Sequence, residues 1–405
     1  MKISLIQPGR NNLKYLKWSY DSIRKNQGNH TVEICVADDF SNDGTWNWCT
    51  EMMKKDSDFK AIRNEGPTRL GHTILYDRLV NEVASHDVCM IYHADMYLCP
   101  GAIDSIEYYL KEKTIVSLTR IEPPLHPPGP EKILVDYGIE PEEFDENGLL
   151  QYMIESKSER SAKTTEGIFA PWAFYKKDFQ EIGGHDPIFA PQSKEDTDIF
   201  NRFQLNGMKF IQTWEGCVYH MTCRGSRFAD GAQRNPDGEV VMKNRETDEW
   251  LIQNEKSTLE FIRKWGHLCR HDEYLSPIVP GKYDVAIVLN NATLQLIELL
   301  EPYSSKIYVD MDTSEFLQKA QPKSSFDLSK RCEYRPSISD TGDLQEGVVM
   351  YLDGSNFTQQ DMDNMSFITE ILDDSGAIGS FELGNIKMSI SNLDRFEEEL
   401  VVCES

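Results

Sequence analysis

Two adjacent aspartates, Asp38 and Asp39, follow the apolar run Val32–Ala37, which has the length of a buried strand. Placing like charges side by side costs free energy unless hydrogen-bond donors or a ligand stabilise them. A carboxylate at a strand end can accept a hydrogen bond from a nucleobase N–H or from ribose hydroxyls. The pair therefore predicts a nucleotide site, whereas Asp43, in the following Ser-Asn-Asp-Gly turn, is better explained as a turn or helix-cap residue.

A further carboxylate, Asp95, follows the near-continuous apolar run Val88–Tyr92. Hard oxygen ligands suit Mg²⁺ or Mn²⁺, so Asp95 is a candidate ligand for a cation that bridges two phosphates. His93 stands two residues earlier, and three roles stay open for it. Its imidazole could bind Mn²⁺, contact a ribose or simply pack.

Four carboxylates lie close together later in the chain, at Asp186, Glu195, Asp196 and Asp198. The apolar spacing that follows predicts that Glu195 and Asp196 begin a helix. Acidic residues in a first turn are favoured by the helix dipole, which accounts for one or two of them. A general base aimed at an acceptor hydroxyl would occupy the same place, so both explanations are kept.

The elements that would position these residues alternate between strand and helix. Apolar runs and helical spacing predict strands near 3–6, 32–37, 60–62 and 88–92, and helices near 13–23, 46–55 and 73–83. This alternation predicts an α/β fold with a mostly parallel sheet flanked by helices. Ligands bind outside the carboxyl ends of strands in such sheets, which is where the acidic pairs fall.

The remaining patterns predict a division into domains. Five prolines in residues 122–130 exclude a helix or a central strand, so this segment reads as a loop leaving the nucleotide-binding half. Helical spacing resumes at 246–265, and strands near 282–289, 306–310 and 348–352 begin a new α/β run that lacks a Gly-x-Gly-x-x-Gly motif. We predict a nucleotide-binding domain at 1–230, a helical connector at 231–280, and a small Rossmann-like α/β domain of unknown role at 281–405.

Composition narrows the class of protein. The net charge is −25, and residues 281–405 hold 9 Lys and Arg against 23 Asp and Glu, so nucleic acid is not an expected partner. The first apolar run begins at residue 2, so we do not predict a signal peptide. No run reaches about 18 apolar residues, so we do not predict a membrane span either.

The nine scattered cysteines indicate reduced thiols and a cytoplasmic location. A structural zinc is an alternative that we do not favour, because the candidate ligands lack paired Cys-x-x-Cys spacing. Those candidates are Cys217, His220, Cys223, His267, Cys269 and His271.

In order and spacing, these motifs resemble the family 2 glycosyltransferases of GT-A fold, over about residues 1–230. The matching segments are "SLIQPGRNN", "VADDFSNDGT", "YHADMYLCPGAI", "IGGHDPIF…KEDTDIFNRFQLNGMKF" and "CVYH". The resemblance implies a metal-dependent, inverting transfer of a sugar from a UDP- or GDP-sugar to a glycan or other hydroxyl acceptor, with Mn²⁺ or Mg²⁺ as cofactor. The Gln-x-x-Arg-Trp signature of processive membrane synthases is absent, so a non-processive enzyme is expected.

The resemblance also implies roles for single residues. Asp95 and His220 would hold the metal, and Asp196, with Glu195 beside it, would be the general base. His93 replaces the first Asp of the family's Asp-x-Asp motif. The residues expected to bind the nucleotide sugar are Pro8, Arg10, Asp38, Asp39, Arg69, Arg78, His93, Ala94 and Arg224.

Two further features concern the acceptor and closure of the site. Trp172 and Tyr175 could stack on an acceptor sugar or belong to the core, and the sequence favours neither. The segment 222–238 predicts a lid over the diphosphate, with Arg224 and Arg227 as phosphate contacts. Two other functions stay open: a catalytically inactive nucleotide- or sugar-binding module with 281–405 as an interaction domain, and, with less support, a nucleotidyltransferase.

Overall fold

The computed structural model describes residues 1–225, 227–335 and 344–403. The chain divides into two units. Unit 1 holds residues 1–252, 271–277 and 403–405, and unit 2 holds residues 253–270 and 278–402. The boundaries of these two units differ from the predicted domain boundaries at residues 230 and 280, which remain a proposal.

Unit 1 contains a ten-stranded sheet with helices packed against it. Its strands are β1 (Lys2–Gly9), β2 (Thr31–Asp39), β3 (Phe59–Asn64), β4 (Val88–Ile91), β5 (Met96–Leu98), β6 (Thr114–Glu122), β7 (Lys132–Leu134), β8 (Thr164–Thr165), β9 (Trp172–Tyr175) and β10 (Lys209–His220), with a separate pair β11 (Gln233–Arg234) and β12 (Val240–Val241). Its helices are α1 (Leu13–Asn26), α2 (Thr45–Lys55), α3 (Gly71–Arg78), α4 (Ala102–Tyr109), α5 (Glu146–Glu155), α6 (Lys157–Arg160), α7 (Lys176–Glu181) and α8 (Glu195–Leu205). The next helix, α9 (Asp248–Trp265), begins in unit 1 and ends in unit 2.

The strand order of the large sheet is β3-β2-β1-β4-β9-β6-β10-β5, with β7 beside β6 and β8 beside β10. Strands β1 to β4 pair in parallel, and β6 pairs in parallel with β10. Strand β9 is antiparallel to both β4 and β6. Strands β1 to β4 therefore run in the same direction as β6 and β10. The carboxyl ends of β1, β2, β4, β6 and β10 therefore meet at one edge of the sheet. The predicted mostly parallel α/β sheet is confirmed.

The predicted elements of residues 3–92 are all present, because burial follows their apolar patterns. Every residue of β4 is buried, as expected for a strand covered on both faces. Leu16 and Ile23 of α1 lie in the same core as the strand residues Ile3 and Val36. Helix α3 continues into a π-helical turn at Leu79–Val83, which together match the helix predicted near 73–83.

Unit 2 has a six-stranded sheet in the order β15-β14-β13-β16-β18-β17. Its strands are β13 (Val285–Asn290), β14 (Lys306–Val309), β15 (Cys332–Tyr334), β16 (Val348–Asp353), β17 (Gly379–Leu383) and β18 (Ile386–Ile390). Its helices after α9 are α10 (Leu294–Leu300), α11 (Ser314–Ala320), α12 (Leu328–Arg331), α13 (Gln359–Ser366) and α14 (Ile368–Ser375). Strands β13 to β16 pair in parallel, as expected for the α/β run predicted from residue 282 onward.

No helix in the described part of the chain is long and apolar enough to cross a bilayer. The zinc alternative finds no support among the described residues, where neither cluster with metal-ligand spacing is a cysteine–histidine set. Cys217 instead accepts a hydrogen bond from Arg160, and Cys223 contacts His126.

Candidate active site

A cleft of about 370 Å³ opens at the carboxyl edge of the large sheet. The ends of five strands supply its floor, so the topology brings together residues that are far apart in sequence. These strand-end residues are Pro8 and Gly9 of β1, Asp39 of β2, His93 to Asp95 after β4, Glu122 of β6, and His220 of β10.

Three potential metal ligands meet in this cleft. The ligand atoms of His93, Asp95 and His220 lie within 4.8 Å of one another. His220 Nε2 lies 3.4 Å from Asp95 Oδ2, and on the other side of the ring its Nδ1 lies 2.7 Å from Glu122 Oε1. A histidine whose second nitrogen is held by a carboxylate has a fixed ring orientation, as metal-binding histidines usually have.

The charges of this group favour a cation at its centre. Burial disfavours a charge on His220, but Asp95 and Glu122 outweigh it and raise the pKa to about 9. Burial would likewise raise the pKa of Asp95, yet His220 and His93 lower it to about 2. His93 is half-buried, and the protein atoms around it lower its pKa to about 3, which leaves its imidazole neutral.

This donor set fits a divalent cation. At neutral pH Asp95 is ionised and His93 has a free lone pair. The proton on His220 Nε2, which faces Asp95, occupies the position that a cation would take. Two imidazoles and one carboxylate suit Mn²⁺ better than Mg²⁺, which prefers oxygen ligands. Glu122 would keep its hydrogen bond to Nδ1 in either state.

On the nucleotide side, Asp39 is 3% exposed and lines the cleft. Its Oδ1 accepts hydrogen bonds from the Asn64 side chain at 2.7 Å and from Leu70 N at 3.1 Å. Its Oδ2 accepts one from Gly71 N at 2.9 Å. Asp39 therefore holds the first turn of α3 and the loop before it at the edge of the cleft.

Cationic side chains surround the rest of the cleft, most of them already paired with carboxylates. Arg224 pairs with Glu140, and Arg227 pairs with Glu246. Arg10 has a buried Nε without a hydrogen-bond partner, and no ion pair of it is found within the described residues. The other cations that line the cleft are Arg69, Arg120 and Lys132. Such a lining suits a diphosphate.

Glu195 and Asp196 form the first turn of α8, as predicted. The two residues before them, Ser193 and Lys194, have φ of 80° and 72°, a strained conformation for residues with a side chain. Burial and then the charge of Asp196 raise the pKa of Glu195 to about 8. Although Asp196 is accessible to solvent, the protein atoms crowded around it also raise its pKa. Because Glu195 is the more deeply buried of the two, a proton shared by the pair is favoured on Glu195 rather than on Asp196.

Helix α3 contributes a residue that sequence reasoning missed. His72 lines the cleft and lies 5.6 Å from the Tyr76 ring, one helical turn away. The Tyr76 phenol is buried, and burial together with Asp196, Glu195 and Asp95 raises its pKa, so it stays protonated among these carboxylates. Helix α3 therefore lies near both the candidate metal group and the candidate base.

The structure does not bring every predicted residue to the cleft. Asp38 is fully buried beside Arg63, and Arg78 pairs with Glu82 on the outer side of α3. Trp172 is fully buried in the core, so of its two readings the structure supports the core. The predicted residues that do line the cleft are Pro8, Arg10, Asp39, Arg69, His93, Ala94, Asp95, His220, Arg224 and Arg227.

Several cleft residues were not predicted, because their positions depend on long-range packing. Glu122 and His126 belong to the Pro-rich segment and Lys132 follows it; after Glu122 this segment is a loop, as predicted, but it returns to the cleft. The one available signal for Glu122 was its place at the end of an apolar run, the same signal that drew attention to Asp39 and Asp95. Tyr15 and Arg120 also line the cleft.

Residues 4–134 match the family model described as glycosyl transferase family 2. The match lies within unit 1 and covers less than half of the chain. The match includes β1, β2 and β4 with Asp39, His93 and Asp95, and together with the sheet it confirms the GT-A class predicted for this region. A comparison with curated proteins found no significant match.

Solved glycosyltransferases are similar to the chain at low identity. A structure of GalNAc-T7 with UDP, GalNAc and Mn²⁺ is 15% identical, with a TM-score of 0.45 over 65% of this chain and 48% of that one. A structure of S. aureus TarS 1–349 with UDP is 15% identical, with a TM-score of 0.40 over 54% of this chain and 60% of that one. A structure of the mannosyltransferase PcManGT from Pyrobaculum calidifontis with GDP-Man and Mn²⁺ is 15% identical, with a TM-score of 0.38 over 65% of this chain and 63% of that one. The chain thus spans about half the length of the first of these structures.

Proposed function

We propose that this protein transfers a sugar from a nucleoside-diphosphate sugar to a hydroxyl acceptor, in a metal-dependent, inverting and non-processive reaction. The observation that carries the proposal is the convergence of His93, Asp95 and His220 at one edge of a family 2 domain, beside a cleft lined with arginines. No other group of described residues combines metal-ligand spacing with a cleft of this kind.

The three residues would hold Mn²⁺ in preference to Mg²⁺, and the cation would neutralise negative charge on the diphosphate. His93 thereby receives the metal role that the sequence left open. Arg10 is the cation best placed to bind phosphate or base, because its guanidinium has no carboxylate partner among the described residues.

The proton of the acceptor hydroxyl would pass to Asp196. As the acceptor oxygen attacks the anomeric carbon from the face opposite the diphosphate, the bond from that carbon to the phosphate oxygen breaks. The nucleoside diphosphate leaves with the electron pair, and the configuration inverts. Glu195, which already holds a proton, would not compete for this one.

Asp39 retains at most one acceptor position for the base. Three of the four lone-pair sites of its carboxylate are occupied by Asn64, Leu70 and Gly71, and Arg69 Nε lies 3.8 Å from its Oδ2. The N3–H of uracil needs one acceptor, and its two carbonyl oxygens need donors such as Arg10. Guanine presents two adjacent N–H groups, one of which would stay unpaired. We therefore take the donor to be a UDP-sugar.

Titration calorimetry with Mn²⁺ should show UDP binding at least about tenfold more tightly than GDP, because an unpaired buried donor is costly. Tighter binding of GDP would overturn only the base assignment. Failure of both nucleotides to bind would overturn the proposed function itself.

Incubation with UDP-sugars and Mn²⁺ separates the proposal from its alternatives. An enzyme should release UDP slowly by hydrolysis and faster with acceptor. A catalytically inactive module should bind the nucleotide without releasing sugar, and a nucleotidyltransferase should instead form or release pyrophosphate.

Glu122→Gln should weaken Mn²⁺ binding by about 10–100-fold, because it removes the carboxylate that orients His220. Glu131→Gln is a matched control, since Glu131 shares the partners Arg120 and Lys132 while the bond to His220 belongs to Glu122. Calorimetry with Mn²⁺ alone measures both variants. Equal affinities for the two would contradict the orienting role.

A further inference from the structure

Phe40, which directly follows Asp39, has an unusual backbone conformation for a residue with a large side chain. Its φ is 62°, in the left-handed region that glycine adopts freely and in which a bulky residue is an outlier. Such a conformation persists only where the surrounding contacts fix it. The contacts of the half-buried Phe40 ring are therefore informative.

The ring of Phe40 packs on the loop that also binds Asp39. A methyl group on Gly66 would come within 2.4 Å of Phe40 Cδ2, so the ring lies directly against the Gly66 backbone. Gly66 N donates to Asn64 Oδ1 at 3.1 Å, and the Asn64 side chain donates to Asp39 Oδ1 at 2.7 Å. The Asp39 carboxylate and the Phe40 ring therefore hold the same loop, at residues 64–71.

Arg10 is the second contact of the Phe40 ring. Strands β1 and β2 are neighbours, with Gly9 paired to Asp38, so Arg10 and Phe40 leave the sheet side by side. The guanidinium carbon of Arg10 lies over the ring, 6.0 Å from its centroid, which is within the range of a cation–π interaction. Arg10 lines the cleft, and its buried Nε has no hydrogen-bond partner among the described residues. The ring therefore supports the guanidinium without occupying its N–H groups.

This support places a donor beside the carboxylate to which the proposed function assigns the nucleobase. A carboxylate accepts hydrogen bonds, so Asp39 can satisfy the N3–H of uracil but not its two carbonyl oxygens. A guanidinium has only donors and can satisfy a carbonyl oxygen. Because Arg10 already rests on an aromatic ring, less side-chain freedom is lost when the base binds.

We propose that Phe40 is a positioning residue that holds Arg10 beside Asp39, so that the guanidinium donates to a carbonyl oxygen of uracil rather than to the diphosphate. This inference rests on the proposed function, in which Asp39 binds the base of a UDP-sugar. Phe40 touches no reacting atom and acts through Arg10. Its effect is on the affinity for the donor.

Titration calorimetry with two ligands tests the proposal, UDP and inorganic pyrophosphate, each with Mn²⁺. Phe40→Leu keeps an apolar side chain and the same backbone penalty but removes the aromatic face. It should weaken UDP binding by about three- to tenfold. Arg10→Ala should weaken it by about 10–100-fold, because a hydrogen bond from a charged donor is lost. Neither variant should change the affinity for pyrophosphate.

A double variant and a matched control complete the test. Phe40→Leu should cause no further loss of UDP affinity in the Arg10→Ala background, since both changes act through one guanidinium. Phe326→Leu is the control, because Phe326 is also half-buried with an arginine, Arg331, 5.6 Å from its ring, but does not line the cleft. It should bind both ligands as the wild type does. If Phe40→Leu does not fold, Phe40→Gly replaces it, because glycine adopts this φ readily.

Three outcomes would overturn the inference. They are an unchanged UDP affinity in Phe40→Leu, losses that add in the double variant, and an equal loss for pyrophosphate and UDP. The second indicates a structural role for Phe40, and the third indicates that Arg10 binds the diphosphate. Each of these results, with a wild-type protein that binds UDP, leaves the proposed function intact. A wild-type protein that binds neither UDP nor GDP with Mn²⁺ would instead overturn the proposed function.

Discussion

Replacing Asp196 with asparagine should lower kcat by about 10²–10⁴-fold, the usual contribution of a general base. Asparagine keeps the size and the place of the side chain in the first turn of α8 but cannot accept the acceptor's proton. Donor binding should change little, since Asp196 does not line the nucleotide cleft. Transfer assays together with calorimetry of UDP and Mn²⁺ would measure the two effects separately.

Glu195→Gln is the control for this variant. Because Glu195 has a pKa of about 8 and carries a proton at pH 7, glutamine resembles its resting state, and the loss in kcat should be less than about tenfold. An Asp196→Asn variant with near-normal turnover, or a larger loss for Glu195→Gln, would remove Asp196 from the role of base.

Asp95→Ala should abolish metal-dependent nucleotide binding, with a loss of at least about 100-fold in the affinity for UDP with Mn²⁺. Loss of an outer carboxylate alone typically costs 10–100-fold in metal affinity, and Asp95 would be a direct ligand. The variant also leaves His220 without the carboxylate 3.4 Å from its Nε2. Calorimetry with and without Mn²⁺ isolates the metal-dependent part.

Asp104→Ala serves as the control for Asp95→Ala, since Asp104 is an exposed carboxylate at the start of α4. It should bind UDP and Mn²⁺ as the wild type does. If Asp95→Ala kept the full metal-dependent affinity, the cation site would have to be placed elsewhere.

The sequence predicted the strands of the first half of unit 1 because their signals are local. Val88–Tyr92 is apolar throughout, and a strand covered on both faces needs nothing else. Glu122 and His220 were harder to place. They meet because β6 pairs in parallel with β10, and they reach the edge that carries Asp95 because the antiparallel strand β9 lies between β4 and β6. No local pattern in residues 172–175 announces that insertion.

Two expected nucleotide contacts failed to reach the cleft for geometrical reasons. Side chains alternate along a strand, so adjacent residues of β2 face opposite sides, and Asp39 lines the cleft while Asp38 is buried beside Arg63. On a helix, two residues correspond to about 200°, which turns Arg78 away from the face that carries Tyr76. Both outcomes follow from backbone periodicity once the inward face is known, but the sequence alone does not reveal that face.

A single glycine connects the donor and acceptor halves of the domain. The N–H of Gly71 binds Asp39, and a methyl group at this position would come within 2.0 Å of the carbonyl oxygen of Pro191, shortly before Glu195. The backbone at Gly71 also has φ of 73°, which disfavours other residues. Anyone grafting the loop at residues 64–71 from another transferase, to change the accepted nucleotide, would have to keep this glycine. Otherwise the exchange would displace Glu195 and Asp196 along with the proposed nucleobase pocket at Asp39.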